Sequence, residues 1–393
     1  MTAPLRIAVA GLGTVGMGTI EILRANSQIL ARRAQRPFEV VAVSARDRGR
    51  DRGADISNFC WYDDPVKMAA EVECDVVIEL IGGSGDIAKN VCKNAIAKGR
   101  HIVTANKALL ALHGTELAKS SESAGVAFCY EAAVAGGIPV IKTLRESLAS
   151  NSVSRIQGIL NGTCNYILSG MEREGKDFLS VLKDAQKLGF AEIDPTFDIK
   201  GIDAAHKITL LSSLAFDIPI KFSQTYTEGI DKIELDDFRF ASEFGYKIKL
   251  LGIAERKQDS YEQRVHPCLV REDSEVAKVD NELNAVVIND EIVGKTVLIG
   301  PGAGGKPTGA AIVADLLDLK RGNLNSPLGE SILSSKKIKN INIALHICKN
   351  HAPKNKQITR CREPSKGMVI DNTLAIDPFG YRFYIFNISF FIT

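Results

Sequence analysis

Short, unbroken apolar runs alternate with amphipathic stretches over the first third of this chain. The runs RIAVAG, FEVVAVS, DVVIELIG, HIVTAN and VAFCYE are rich in β-branched residues and close on glycine or polar positions. Apolarity that is continuous rather than alternating predicts strands buried on both faces, as in a parallel sheet. Between the runs, residues 16–34 and 86–98 place apolar side chains at helical spacing. This βαβ rhythm predicts an α/β, doubly wound parallel sheet over residues 1–130.

After Glu131 the rhythm changes. Gly137, Ile138 and Pro139 open a predicted helix to about Ala149, and VSRIQGIL reads as a strand ending at Asn161 and Gly162. A long apolar helix is predicted from Asp203 to Ala215. KIKLLGIAER, QRVHPCLV and LNAVVIND follow, with the alternation of a sheet packed through one face on helices. GKTVLIGPGAGGKPTGAAIVADLLDL adds a strand, a glycine turn and a helix. Residues 131–305 therefore read as a second, α+β unit with a mostly antiparallel sheet, closed by a helix over 306–322. Residues 323–393 are basic, lack sustained periodicity and end in YRFYIFNISFF. That composition predicts a disordered or non-compact tail with an aggregation-prone aromatic end.

At 393 residues the chain exceeds one ordinary core, so two or three domains are expected. A formal net charge of +2 supplies no basic face for nucleic acid. No apolar run approaches the roughly 20 residues that span a bilayer, so no membrane partner is expected. LRIAVAGLG turns at glycine and lacks a cleavage-site pattern, which argues against a signal peptide. Cys60, Cys74, Cys92, Cys129, Cys164, Cys268, Cys348 and Cys361 form no CxxC pair. Free thiols in a reducing, cytoplasmic setting are the plain reading.

Chemistry enters first at GLGTVG, which follows the first strand and opens a helix. Gly11 suits a tight turn, Gly13 close approach of backbone to a pyrophosphate, and Gly16 helix–strand packing. The loop, with Thr14 and Val15 at the helix start, then offers free N–H groups and a positive dipole end to phosphates. A glycine turn of no chemical consequence is the alternative, but the strand before and helix after favour a Rossmann-type nucleotide site. The second strand ends at Ser44 rather than at an acid, and Ala45, Arg46 and Arg48 follow. That pattern favours NADP, with Arg46 on the 2′-phosphate and NAD still possible; a solvated loop would look much the same. Gly82 and Gly83 follow a later strand, where a βα turn would face the nicotinamide half. Lys107 sits in the first turn of a helix, on the unfavourable side of its dipole, which suggests that it serves the site.

The segment AQKLGFAEIDPTFDIKGIDAAHK, residues 185–207, concentrates the remaining candidates. Asp203 and Lys207 lie four apart on a predicted helix and share a face. A surface ion pair worth a few tenths of a kcal/mol is the bland reading. Ala204, Ala205, Ile208, Leu210 and Leu211 make this helix largely buried instead, and buried charges need partners. Glu192, Asp194 and Asp198 lie on its irregular, proline-containing approach, as site loops often do. Converging carboxylates can hold an ammonium group, and a lysine among them can act as a proton donor. With the nucleotide loop, this points to a dehydrogenase acting on an amino acid.

Ala185, Gly189, Phe190, Ala191, Asp194, Pro195, Asp198, Gly201, Asp203 and Lys207 together match the signature of the homoserine dehydrogenases, which this chain resembles. GLGTVG, TANK, EAAVAGGIPV, GILNGTCNYIL and GPGAG extend the resemblance from about residue 5 to about 322. It implies reversible, NAD(P)-linked interconversion of L-homoserine and L-aspartate 4-semialdehyde, in threonine, methionine and isoleucine biosynthesis. Lys207 matches the proton donor, and Lys107 a lysine shared between cofactor and substrate. Glu192, Asp198 and Asp203 match positions that bind or orient the amino acid. Two lysines converging on one pocket would be expected to lower each other's pKa. Gly302 and Gly304 match a second glycine loop returning to the cofactor, which gives the helix over 306–322 its place. Glu131, with the backbone carbonyls of Val134, Gly136 and Ile138, matches a monovalent cation site for sodium or potassium. The family also implies a homodimer through the substrate-domain sheet. Cys164 stands where threonine is more usual. A regulatory ACT domain, which many bacterial members carry, has no counterpart in the pattern of residues 323–393, so little or no inhibition by threonine is expected. Another Rossmann-type amino-acid dehydrogenase or reductase, and a non-catalytic NADP-binding remnant, remain open at this point. An aspartate-semialdehyde dehydrogenase would need an activated cysteine, which no motif here supplies.

Overall fold

The computed structural model describes residues 3–258, 260–320 and 328, with short strands at Ser334–Ser335, Thr373–Ile376 and Arg382–Ile385. Apart from those strands and Leu328, which is buried in the core, the expectation of a non-compact tail over 323–393 falls outside the described residues. Six strands form the first sheet: β1 (Leu5–Ala10), β2 (Phe38–Ser44), β3 (Cys60–Tyr62), β4 (Val76–Glu79), β5 (His101–Thr104) and β6 (Phe128–Cys129). They lie in the order β3-β2-β1-β4-β5-β6 and every pair is parallel. Continuous apolarity has the expected cause, because both faces are covered. Ala8, Val77 and Ile102 pack towards Val91, Cys92 and Leu109 on one side. Ile7, Val9, Ile78 and Val103 pack towards Ile20, Leu23, Ile312 and Leu316 on the other.

Strand order changes direction between β1 and β4, and at such a switch point the two following loops diverge and leave a crevice. The loops that open there are the ones beginning at Gly11 and Leu80. Local details depart from the sequence pattern. Residues 16–34 are two helices, Thr14–Ala25 and Ser27–Ala34, separated at Asn26, whose φ of −106° and ψ of 14° leave helical geometry. VAFCYE contracts to β6, because Glu131–Ala133 coil into a 3₁₀ turn. The helix expected from Gly137 is Val140–Lys142 running into a wider π turn at Thr143–Ser147.

The second sheet is built from β7 (Val153–Ile159), β8 (Tyr226–Thr227), β9 (Tyr246–Arg256), β10 (Ser260–Arg271), β11 (Leu283–Asp290), β12 (Gly294–Pro301) and β13 (Ser334–Ser335). Its order is β12-β11-β7-β9-β10-β13, antiparallel from β12 to β10, with β8 and β13 parallel to β10. Ile156, Leu250, Ala254 and Val265 bury one face against Ile208 and Leu211 of the helix Ile202–Phe216. The other face is also covered, since Ile159, Leu251, Ile253, Ala285 and Val287 cluster with Val276 and Val279. The helix Gly305–Lys320 runs back to the first sheet and lies on Thr14–Ala25 through glycines. A Cβ on Gly309 would stand 2.9 Å from the Thr19 amide nitrogen. Cys60, Cys74, Cys92, Cys129, Cys164 and Cys268 carry free thiols. Among the described residues, no helix is long and apolar enough to cross a membrane.

Candidate active site

The dinucleotide end follows from three glycines that cannot be exchanged for one another. Gly11 has φ +110°, and a Cβ there would stand 2.5 Å from the Leu80 carbonyl oxygen. A Cβ on Gly16 would collide with the Gly11 carbonyl, whereas one on Gly13 would meet nothing within 4 Å. Gly11 and Gly16 are therefore fixed by packing, and Gly13 faces open space at the helix N-terminus. No side chain caps that N-terminus. Its free amides suit an anion. Gly302 is wedged against Asn284, and a Cβ on Gly305 would lie 2.8 Å from the Thr14 carbonyl oxygen. The second glycine loop, with Gly304 at φ +118°, thus abuts the first. Ser44 is buried at the tip of β2, while Arg46 is exposed beyond it.

Gly82 and Gly83, at φ +77° and +73°, turn the chain after β4. Two residues outside the expected set hold this turn. Glu79, fully buried at the end of β4, accepts from the Ile81 amide at 2.8 Å and the Thr104 hydroxyl at 2.7 Å. Burial raises its carboxyl, and these hydrogen bonds work against that rise. Asn106 donates to the Gly83 carbonyl at 2.7 Å and caps the helix Lys107–Ser123 by accepting from the Leu109 amide. A single acid inside the apolar run DVVIELI was the available signal for Glu79.

Lys107 projects from the first turn of that helix to Asp203 Oδ1, 3.1 Å away. Lys207, one turn beyond Asp203 on Ile202–Phe216, reaches Asp203 Oδ2 at 2.8 Å and the Leu160 carbonyl at 2.7 Å. Asp203 is in its own helix's first turn, where a negative charge is favoured. Burial works to raise its carboxyl; the Lys207 and Lys107 charges overcome this and hold it well below the usual carboxylate range. The expectation that converging lysines depress the pKa is corrected at Lys107. The Asp203 charge outweighs burial at Lys107 and raises its pKa, with Asp198 and Glu192 adding to the rise. The surface ion-pair reading fails as well, since the side chains of Asp203 and Lys207 are 5% and 10% exposed.

Asp198, on the short helix Thr196–Ile199, joins the cluster through Asn161, whose Nδ2 donates to Asp198 Oδ1 at 2.7 Å and to Asp203 Oδ2 at 2.8 Å. Burial and the Asp203 charge raise the Asp198 carboxyl. Glu192 is exposed on the approach loop, and Asp194 turns away to hold the Thr196 amide at 3.1 Å. His206 is buried edge-on to the Phe197 and Phe222 rings, and burial lowers its pKa to about 4. It stays neutral beside the charged cluster.

A glycine loop on a parallel sheet thus lies in the same fold as two lysines gathered on one buried aspartate. Residues 11–131 match the model of the homoserine dehydrogenase NAD-binding domain, and residues 139–317 match that of homoserine dehydrogenase itself. Homoserine dehydrogenase of Pseudomonas aeruginosa is 47% identical over 326 residues, 82% of this chain and 74% of that protein. The chain belongs to the homoserine dehydrogenase family. It is accordingly an oxidoreductase with an NAD(P)-binding domain. The Neisseria gonorrhoeae enzyme is 48% identical over 319 residues, 81% of this chain and 73% of that protein. The crystal structure of a homoserine dehydrogenase from Thiobacillus denitrificans superposes with a TM-score of 0.81 at 44% identity, covering 85% of this chain and 79% of that one.

Within this family member, Glu131 lies on the connection that leads from the first sheet to the second. Its carboxylate accepts from the Ile141 and Lys142 amides at 3.0 and 2.8 Å, and its own amide donates to Asp315 at 3.0 Å. Burial pushes its carboxyl up to about 7, against the pull of those amides and of Lys142. Ala135 and Gly136 both have positive φ, 52° and 23°, so the backbone between Val134 and Ile138 is tightly turned. The Gly137 amide ties it to the Pro301 carbonyl at 3.0 Å. Asn161, read from sequence as the end of a strand, is instead the N-cap of the helix Gly162–Glu174. Asparagine at the head of the stretch GTCNYIL is a helix-start signal that could have been read that way.

Proposed function

We propose that the chain is an NADP-dependent homoserine dehydrogenase, catalysing reversible hydride transfer between L-homoserine and L-aspartate 4-semialdehyde in threonine, methionine and isoleucine biosynthesis. One observation carries the reading: amines from two separate helices, at positions 107 and 207, meet on the Asp203 carboxylate. Residues 1–130 form the nucleotide unit in this reading, 131–305 the substrate unit, and the helix from 306 leads back to the nucleotide.

The open face of Gly13 and the uncapped helix behind it fit a pyrophosphate, with Gly11, Thr14, Val15 and Gly16 completing the loop and Gly82, Gly83, Gly302 and Gly304 flanking it. Arg46 is assigned to the 2′-phosphate, which Ser44 at the β2 tip leaves room for. When bound, the reduced dinucleotide supplies the hydride. Lys207 is the proton donor: two of its three N–H bonds are fixed by Leu160 and Asp203, leaving one for the substrate oxygen. As negative charge grows on that oxygen, a held ammonium stabilises it and transfers a proton, typically worth about 10²–10⁴ in rate. Lys107, kept protonated by Asp203, bridges cofactor and substrate sides. Asp198 tunes the cluster's charge. Asp203 already carries two lysines, so its part is to orient them, and Glu192, exposed on the approach loop, receives the substrate ammonium. Glu131 and the carbonyls of Val134, Gly136 and Ile138 make an all-oxygen donor set, which suits a hard monovalent cation such as sodium. A homodimer through the second sheet follows the family's habit.

The test is a 340 nm assay of the purified chain with NADP⁺ and L-homoserine, against L-serine and other amino-acid alcohols. The reading requires turnover with homoserine well above the others, and faster turnover with NADP⁺ than with NAD⁺. Equal rates across the alcohols would transfer the chain to another dehydrogenase activity.

A further inference from the structure

Asn161 makes three hydrogen bonds that no other side chain of the cluster could replace together. Its Oδ1 accepts from the Cys164 amide at 2.8 Å, fixing the side chain as the cap of Gly162–Glu174. With the oxygen committed, both amide hydrogens of Nδ2 point the other way, one to Asp198 at 2.7 Å and one to Asp203 at 2.8 Å. The peptide before it is engaged too, because the Leu160 carbonyl accepts from Lys207 at 2.7 Å. One dipeptide thus sets the lysine and both carboxylates. Asn161 is 5% exposed, so water offers no substitute.

We infer that Asn161 is a positioning residue: it donates to both Asp198 and Asp203 and holds them at fixed separation, so that Lys207 stays aimed at the reacting oxygen. A buried carboxylate and a half-buried one joined through a single amide repel each other. A neutral amide donating to both relieves that repulsion without adding a charge that would compete with the lysines for them. Lys107, Lys207, Cys164 and His206 also face this pair, and the exposed Glu192 acts on Lys107 beside it. Among them, the lysines act mainly on Asp203. Asp198 has burial and Asp203 against it, and Asn161 heads the groups that favour its charged form. Asp198 is therefore where the loss of Asn161 registers most.

The inference rests on the hydride-transfer reading for its effect on turnover, but the carboxylate titration stands apart from that reading. Asn161→Ser keeps a helix-capping oxygen and removes the double donor. Asn161→Asp keeps the cap and puts a third carboxylate in its place. Aspartate-selective ¹³C labelling follows the Asp198 titration in the folded chain, with and without the Ser substitution. Removing a hydrogen bond to the charged form moves its midpoint upward, by about one pH unit for a charge-assisted bond. In the homoserine assay, kcat falls at least about tenfold in both variants and further in Asn161→Asp. The acid limb of the pH profile moves up, and NADPH affinity stays within about twofold. A folded Asn161→Ser chain with an unmoved Asp198 midpoint overturns the inference, and so does a raised midpoint with an unchanged pH profile. Absence of homoserine turnover by the unsubstituted chain would instead sink the functional reading, and the carboxylate titration would still decide the role of Asn161.

Discussion

Replacing Lys207 by methionine removes one ammonium and keeps most of the side chain's volume, so two costs can be worked out separately. In the folded protein, Asp203 loses its partner at 2.8 Å but keeps Lys107 at 3.1 Å and Asn161 at 2.8 Å. It is not left as an orphaned buried charge, a loss of about 3–5 kcal/mol. Loss of one donor to a buried acceptor, with the Leu160 carbonyl also unpaired, sets the stability loss at about 1–3 kcal/mol. Turnover should fall much further. A positioned acid typically contributes about 10²–10⁴ in rate, or about 2.7–5.5 kcal/mol of barrier. Initial rates at saturating NADPH and aldehyde, normalised to the folded fraction from a urea titration, give the catalytic loss. Nucleotide fluorescence gives NADPH affinity, which should stay near that of the unsubstituted chain because Lys207 touches none of the glycine loops. A folded Lys207→Met chain whose kcat stays within about tenfold of the parent, or whose NADPH affinity falls in step with kcat, would refute the role of Lys207 as proton donor.

Asp203 lies below its unfolded pKa, so its contribution to stability is complete above about pH 4 and is lost as pH falls further. Urea titrations should therefore show Asp203→Asn less stable than the parent by about 3–5 kcal/mol at pH 7 and by the same margin at pH 5, with the gap closing only below about pH 4; closure between pH 7 and 5 would assign the effect elsewhere. Glu131 has the opposite sign: its folded carboxyl is raised to about 7, so its ionisation costs stability as pH rises from its unfolded value through 7. A bound monovalent cation competes with that proton, so sodium should raise the Tm over a bulky organic cation at pH 8 and lose the advantage at pH 5.5. A sodium effect equal at both pH values would place the ion elsewhere. Arg46→Ala should weaken NADP⁺ binding by about tenfold or more and leave NAD⁺ unchanged, as expected for loss of a charge-assisted contact. Parallel weakening of both dinucleotides would remove Arg46 from the 2′-phosphate.

The parallel sheet was legible because burial on both faces leaves a direct imprint, the unbroken runs that became β1, β2, β4 and β5. Boundaries were less so: Asn26 breaks a helix that the apolar spacing carries straight through, and the strand Cys60–Tyr62 is too short to show a period. At the site, Lys107, Asp203 and Lys207 stood out as charges in apolar or dipole-opposed positions, and the structure brings these three together. The upward shift at Lys107 was missed because no spacing along the chain reveals that this lysine, on a separate helix, meets the Asp203 carboxylate. Asn161 was overlooked for a related reason. An uncharged side chain breaks no hydrophobic pattern, and its part depends on contacts to Asp198 and Asp203, 37 and 42 residues away.

A crystal structure of the chain with NADP and L-homoserine tests the central claim most directly. The account predicts the homoserine hydroxyl within hydrogen-bond reach of Lys207 Nζ, about 2.6–3.2 Å, with Lys107 on the nicotinamide side and Asp203 still between the two amines. Homoserine bound with its hydroxyl turned from both lysines, or either amine released to solvent on binding, would contradict it.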